Sequence, residues 1–299
     1  MEETVLITGG TGFIGRNLIP LLQKDNYKII VLSRTPSKYQ DDFYFKHVQL
    51  VGDLAEVKDA NIVINLAGAN LSAKRWTDKY KQEIVNSRLN LTNNLIDWMS
   101  NLEHKPHTLI SGSAIGYYGP RGNETLDEDS TSGNASEFQV RLCSQWEDAA
   151  YRAEGLGVRV CCIRTGVVLG DEGALQQMLL PFKLGLGGKL GSGNQYFSWI
   201  HILDHVRAVQ HLIDNDSLTG PFNLTAPTPV TNETLTKTLG KVLRRPTFMT
   251  VPGFALKLVM GEMAHILLTG QRVLPHKLEE SGFKFNYPEL EQALNQILK

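Results

Sequence analysis

A chain of 299 residues is long enough for one large domain or two modest ones, so core size sets no limit on its fold. Its 30 Lys and Arg against 31 Asp and Glu leave a formal net charge of −1 and a pI near 6.7, with no field to draw nucleic acid or an anionic membrane surface. Cys143, Cys161 and Cys162 are odd in number and the adjacent pair lies in an apolar run, so they read as reduced core thiols. No apolar run approaches a membrane span and the first strand begins close to Met1, so neither leader nor anchor is expected and a cytoplasmic protein is.

The run Thr4-Val5-Leu6-Ile7-Thr8 stops at a glycine cluster, after which Phe13, Ile14, Leu18, Leu21 and Leu22 recur at helical spacing. This predicts strand, tight turn and helix, a form whose helix N-terminus accepts the pyrophosphate of a dinucleotide. Gly9 permits the turn, Gly12 lets the backbone approach the phosphates and Gly15 lets the helix pack closely on the strand. Thr11, Phe13 and Ile14 complete this candidate cofactor site. Lys28–Leu32 predicts a second, parallel strand reached by a right-handed crossover. The acid that usually ends this strand in an NAD site is absent. Ser33 and Arg34 stand there instead, with Lys38 beyond, which suits an extra phosphate and predicts NADP(H) over NAD(H); a solvated loop charge is the plainer alternative for Arg34.

Residues 48–52 predict a third strand ending at Asp53 and Leu54, candidate adenine contacts, although Asp53 equally suits the cap of a turn. Residues 60–68 predict a fourth, whose last residues Leu66, Ala67 and Gly68 let a dinucleotide cross the strand ends at the switch point of the sheet. The loop 69–77 carries Lys74, Arg75 and Trp76, and either faces substrate or is a basic turn anchored by the indole. Thr77 caps a helix running to about Met99, with Ile84, Leu91, Leu95 and Trp98 as its buried stripe and Asn86, Ser87 and Arg88 within it. A fifth strand, 106–111, opens into Gly112-Ser113-Ala114-Ile115-Gly116-Tyr117-Tyr118-Gly119. Ser113, Tyr117 and Tyr118 are the leading catalytic candidates, with packing the alternative for the tyrosines.

A helix over 137–152 and a sixth strand over 158–164 follow. Residues 185–193, glycine-rich and basic, read as a flexible segment able to close over a ligand. Asp204 is expected to cap the next helix, and His201, with no metal-ligand spacing near it, reads as structural or substrate-facing. Residues 222–224 predict a short strand, Thr231 caps a helix to about Leu243, and short helices fill the remainder.

Together these residues resemble the extended short-chain dehydrogenase/reductase superfamily over nearly the whole chain. Within it, Leu66-Ala67-Gly68-Ala69-Asn70, Lys74-Arg75-Trp76, residues 111–119 and Ser198-Trp199-Ile200-His201 are similar to an atypical subgroup commonly labelled epimerase family proteins, some as cell-division inhibitors. The tail from about Pro252, with Gly270-Gln271-Arg272-Val273-Leu274-Pro275, is similar to that subgroup's own extension. The superfamily's chemistry uses a tyrosine four residues before a lysine, the lysine lowering the phenol's pKa. If Glu147 matches the family's usual glutamate, Gln139 and Cys143 stand in those two places and the dyad is absent. Ser113 matches the substrate-facing serine, while Arg88 replaces a customary asparagine.

The resulting expectation is an α/β fold, a Rossmann-type doubly wound parallel sheet with helices on both faces and a smaller C-terminal substrate lobe. Residues 1–165 form the NADP-binding domain, segments near 197–215 return to it, and 166–299 is mainly substrate lobe, including an extension over about 250–299. Two functions remain open. The first is an oxidoreductase or epimerase on a small carbonyl, hydroxyl or sugar-like substrate, with Tyr117 or Tyr118 as the phenol, Ser113 on the substrate oxygen and Arg88 or the Lys74–Arg75 pair as its cation. The second is a protein that binds NADPH and performs no hydride chemistry. Nucleic acid and membrane are not expected as partners, and a homodimer is left open.

Overall fold

The computed structural model describes residues 3–299, so the start at Met1 and Glu2 lies outside the described residues. Seven parallel strands form the central sheet: β1 (Thr4–Thr8), β2 (Lys28–Leu32), β3 (Gln49–Val51), β4 (Ile62–Asn65), β5 (Thr108–Ala114), β6 (Arg159–Thr165) and β7 (Gly220–Leu224). Their order is β7-β6-β5-β4-β1-β2-β3, which reverses direction beside β1 and opens a crevice at the strand ends there. The register puts Ile7, Ile64, Ile110 and Cys161 side by side across four strands, and Leu6, Val63, Leu109 and Val160 in the next row. Because successive side chains alternate, the first row faces one helical layer and the second the other. Both rows are buried, which is why the strands read as unbroken apolar runs.

Helix α1 (Phe13–Lys24) packs on the first row with α5 (Ile202–Asp214), through Leu18, Ile19, Leu22, Val206, Val209 and Leu212. On the other face α2 (Asp78–Asn101) brings Leu95, Ile96 and Met99, and α3 (Phe138–Tyr151) brings Ala150. Thr77 caps α2, its hydroxyl accepting from Tyr80 N at 3.2 Å. The smaller lobe has its own core, in which α4 (Ala174–Lys183), α6 (Asn232–Leu243) and the terminal helix Leu290–Leu298 meet around Trp199.

Four features depart from the sequence reading. Strand β5 runs on past Ser111 to Ala114, because β6 pairs with it as far as Ala114↔Thr165, so Ser113 is a strand residue. Residues 220–224 are the edge strand of the main sheet, so the later chain returns to that sheet beyond 215. The 185–193 segment is held in place: Gly188–Leu190 pairs in parallel with Met249–Val251. His201, not Asp204, caps α5, its Nδ1 accepting from Leu203 N at 3.1 Å. Asp204 instead lies fully buried in the first turn, where it accepts from the backbone N–H groups of Asn286 and Tyr287, each at 2.8 Å, and from Arg207 Nη1 at 3.1 Å. His201 is structural, its Nε2 lying 2.8 Å from Gln296 Oε1.

Candidate functional site

A groove of about 800 Å³ crosses the C-terminal ends of the strands at the switch point. At its floor the backbone leaves β1 through Gly9, whose φ of +71° puts it in the left-handed region. A Cβ there would fall 2.7 Å from Ala67 N, so turn and strand end can approach only with glycine at this position. Gly12 precedes α1 and no side chain caps the helix, leaving its first N–H groups and positive dipole end unpartnered. That is an anion site.

Gly9, Thr11, Gly12, Ser33, Arg34, Asp53, Leu54, Leu66, Ala67 and Gly68 all line the groove. Phe13 and Ile14 do not; their side chains pack on the core while their backbone forms the first helical turn. Gly15 packs against the Gly10 backbone of the turn rather than on the strand. Asp53 combines both expected roles, lining the groove while its Oδ1 accepts from Ala55 N at 2.8 Å as a cap. Ser33 is fixed at the end of β2, its N–H donating to Val51 O at 2.9 Å, and Arg34 beside it is exposed.

The groove continues past the strand ends along α2, where Glu83, Asn86, Ser87, Asn90 and Asn94 form its wall. Glu83, Ser87, Asn90 and Asn94 recur every three or four residues, with Asn86 beside them, a polar stripe away from the buried one that is countable along the sequence. The preceding loop divides its work. Lys74 lines the groove, Trp76 is buried and donates from Nε1 to Leu71 O at 2.9 Å, and Arg75 Nη2 donates to Leu258 O at 3.0 Å in the C-terminal extension.

Arg88 lies behind Gly68 and Ala69. Its Nη2 donates to Ala69 O and its Nη1 to Ile84 O, both at 3.2 Å, and its guanidinium sits 5.1 Å from the Trp146 ring centroid. Burial lowers its pKa from the ordinary arginine value, and no carboxylate pairs with it among the described residues. Cys143 lies close enough to feel this charge, but burial pushes the thiol up to about 12, so it stays protonated.

The hydroxyls at the end of β5 separate into two groups. Ser113 Oγ donates to Glu147 Oε1 at 2.6 Å. Arg164 grips the same carboxylate with Nε and Nη2, each at 2.9 Å, and its Nη1 donates to the Tyr118 hydroxyl at 2.9 Å. Tyr118 donates onward to Asn223 Oδ1 at 2.8 Å, so both capacities of this hydroxyl are used. It is fully buried, and burial, only partly offset by Arg164, pushes its pKa up to about 12. Tyr117 differs. Its ring lies 3.5 Å from the Arg164 guanidinium carbon, the side chain is half-buried, and its hydroxyl has no hydrogen-bond partner among the described residues. No group of three or more His, Cys, Asp or Glu side chains is placed to hold a metal among the described residues.

Residues 5–224 match the NAD dependent epimerase/dehydratase family. The chain belongs to this family. Residues 251–297 of this epimerase/dehydratase family member match a second unit, a domain of unknown function. An epimerase family protein of Staphylococcus haemolyticus is 43% identical over 296 residues, 98% of each chain. The chloroplastic SDR39U1 homolog of Arabidopsis thaliana is 41% identical over all of this chain and 87% of its own. Among solved structures, the human epimerase family protein SDR39U1 (isoform 2) with NADPH superposes with a TM-score of 0.90 at 35% identity over 98% of both chains. The family's fold is therefore an NAD(P)-dependent one, and the groove, the glycine turn and the bare helix N-terminus fit a dinucleotide.

Replacing Glu147 by Gln leaves the buried Arg164 charge unpaired and should cost about 3–5 kcal/mol, read as a lower urea midpoint at unchanged denaturant slope. His205 supplies a pH dependence. It is fully buried, its Nε2 lies 3.1 Å from Thr165 Oγ1, and burial lowers its pKa from 6.5 to about 3. Above pH 6.5 neither state binds this proton; between 6.5 and 3 only the unfolded chain does, so stability falls as pH falls, by about 1.4 kcal/mol per unit. His205→Asn should abolish that part of the slope, so that the stability loss from pH 6.5 to 5 is about 2 kcal/mol smaller than in the unaltered protein.

Proposed function

We propose that this protein is an NADP(H)-dependent oxidoreductase or epimerase acting on a small carbonyl, hydroxyl or sugar-like substrate. The observation that carries the cofactor half is the mouth of the groove, where Ser33 and Arg34, and no acid, follow the end of β2. A hydroxyl beside a guanidinium suits a 2′-phosphate, and the NADPH in the human relative's structure supports the same reading. Gly9, Thr11, Gly12 and the first turn of α1, with Phe13, Ile14 and Gly15, would hold the pyrophosphate. Asp53 and Leu54 would flank the adenine, and Leu66, Ala67 and Gly68 the path across the sheet. When bound, the dinucleotide supplies or accepts hydride.

The chain's own part is to move a proton at the substrate oxygen. Ser113 and Tyr118 are engaged in the Glu147–Arg164 network, so of the three hydroxyls Tyr117 is the one free to exchange that proton. Arg88, beside Cys143, supplies a fixed cation near where the family's lysine would stand. A second reading, an NADPH-binding regulatory protein without turnover, is favoured by one observation: the Ser113 hydroxyl donates inward to Glu147 instead of pointing to a substrate.

Arg34→Ala should weaken NADPH binding by about tenfold to a hundredfold, the worth of one or two charge-assisted hydrogen bonds, and leave NADH affinity unchanged in the same titration. Loss of both affinities together would take the 2′-phosphate contact away from Arg34. Tyr117→Phe should slow NADPH-dependent reduction of a small carbonyl by about 10²–10⁴-fold with cofactor affinity preserved. Turnover that survives this change would place the proton elsewhere, and purified protein that oxidises no NADPH with any carbonyl tried would leave the regulatory reading.

A further inference from the structure

The helix α7 (Gly253–Met260) has no fully buried residue, although its sequence, Gly-Phe-Ala-Leu-Lys-Leu-Val-Met, is almost wholly apolar. Phe254, Leu258 and Val259 are 75%, 76% and 71% exposed, and Phe248, just before the strand that leads into the helix, is 79% exposed. Leu184 and Leu186 extend the patch from the neighbouring segment, at 65% and 58%. The two segments are joined: Gly188–Leu190 pairs with Met249–Val251, and a Cβ at Gly185 would lie 3.9 Å from Pro246. One contiguous apolar surface of this kind marks a partner, because soluble chains seldom expose one without use.

Charge identifies the partner's chemistry. Between Gly173 and Leu203, and again between Thr234 and Gly261, the sequence contains no Asp or Glu. Lys183, Arg244, Arg245 and Lys257 rise from these two stretches, all exposed and none in an ion pair among the described residues. A near-neutral chain thus presents its most apolar surface within a rim of unpaired cations. A second copy across a two-fold axis would set these cations against their own images, with no acid in either stretch to answer them. An anionic lipid surface answers both features, hydrocarbon for the side chains and headgroup charge for the rim. Among the described residues no helix is long and apolar enough to span a membrane, and the proposed contact is with the bilayer surface.

We propose that α7, with the adjoining 184–186 and 244–248 segments, is a docking surface for anionic lipid bilayers, seating Phe254, Leu258 and Phe248 at the acyl boundary and the four cations among the headgroups. This surface joins the smaller lobe to the C-terminal extension and does not depend on the reaction assigned to the groove.

The test is sedimentation of the full chain with vesicles of phosphatidylcholine alone and of phosphatidylcholine mixed with phosphatidylglycerol. The expected result is binding to the mixed vesicles only, weakened by salt, and lowered about fivefold for each cation removed in Arg245→Gln and Lys257→Gln. Phe254→Ser with Leu258→Ser should lower it at least tenfold while NADPH binding stays intact, which shows that the fold is unharmed. No binding to the mixed vesicles, or equal binding to both kinds, overturns the proposal. So does a concentration-dependent dimer, seen by light scattering, that the same double variant dissolves, since the surface would then belong to a second copy. Binding to an acidic protein in place of the vesicles overturns it equally.

Discussion

The buried pairing of Arg164 with Glu147 is the constraint on which the C-terminal ends of β5 and β6 and their packing with α3 depend. Both side chains are only 4% exposed, and such a pair is tolerable only where every remaining donor and acceptor finds a partner. Here Ser113 donates to the carboxylate and Tyr118 takes the last arm of the guanidinium. Tyr118 passes the chain of bonds to Asn223 on β7, whose amide donates to Leu274 O and whose backbone N–H donates to Glu128. One network therefore fixes α3, the ends of β5 and β6, the edge strand and the Leu274 segment of the C-terminal extension. It also sets the rotation of α3, which brings Gln139 and Cys143 against Gly116.

Most of the scaffold was legible because its signals are local. Strands buried on both faces read as apolar runs, and the caps at Thr77 and Thr231 sit where hydroxyls precede helical periodicity. The pyrophosphate turn is equally local, with Gly9, Gly12 and α1 falling within sixteen residues of one another. What stayed hidden depends on distant partners. Ser113 and Tyr118 carry the signature of catalytic hydroxyls, and nothing near them in sequence reveals that Glu147, Arg164 and Asn223 lie 34 to 105 residues away and claim both. Gly185–Gly193 reads as loose until residues 249–251 pair with it. The polar wall of α2 is readable by its spacing, since Glu83, Ser87, Asn90 and Asn94 share one side of the helix.

Composition taken over a whole chain conceals a further kind of information. A net charge of −1 describes a molecule whose cations and anions nearly cancel, yet two long stretches hold cations without a single acid. Electrostatic fields act over about 10 Å at ordinary ionic strength, so the local balance around α7 governs what that surface meets, and the total governs little beyond solubility. The nucleotide groove follows the same logic on a smaller scale. Arg34 stands where no acid ends β2, a local setting that the sign of the whole chain does not describe.

Asp204 ties the order of synthesis to the order of folding. Its carboxylate is fully buried beneath the backbone of Asn286 and Tyr287, which lie 82 and 83 residues further along the chain. At translation rates of about 5–20 residues per second, α5 emerges roughly 4–16 seconds before the two N–H groups that bind this charge. During that interval the acid has water and Arg207, three residues on, as its partners, and its place in the first turn of α5 still favours the helix. The strands of the central sheet, which end at Leu224, precede residues 286 and 287 in synthesis, so the burial of Asp204 closes after the sheet's own residues have been made.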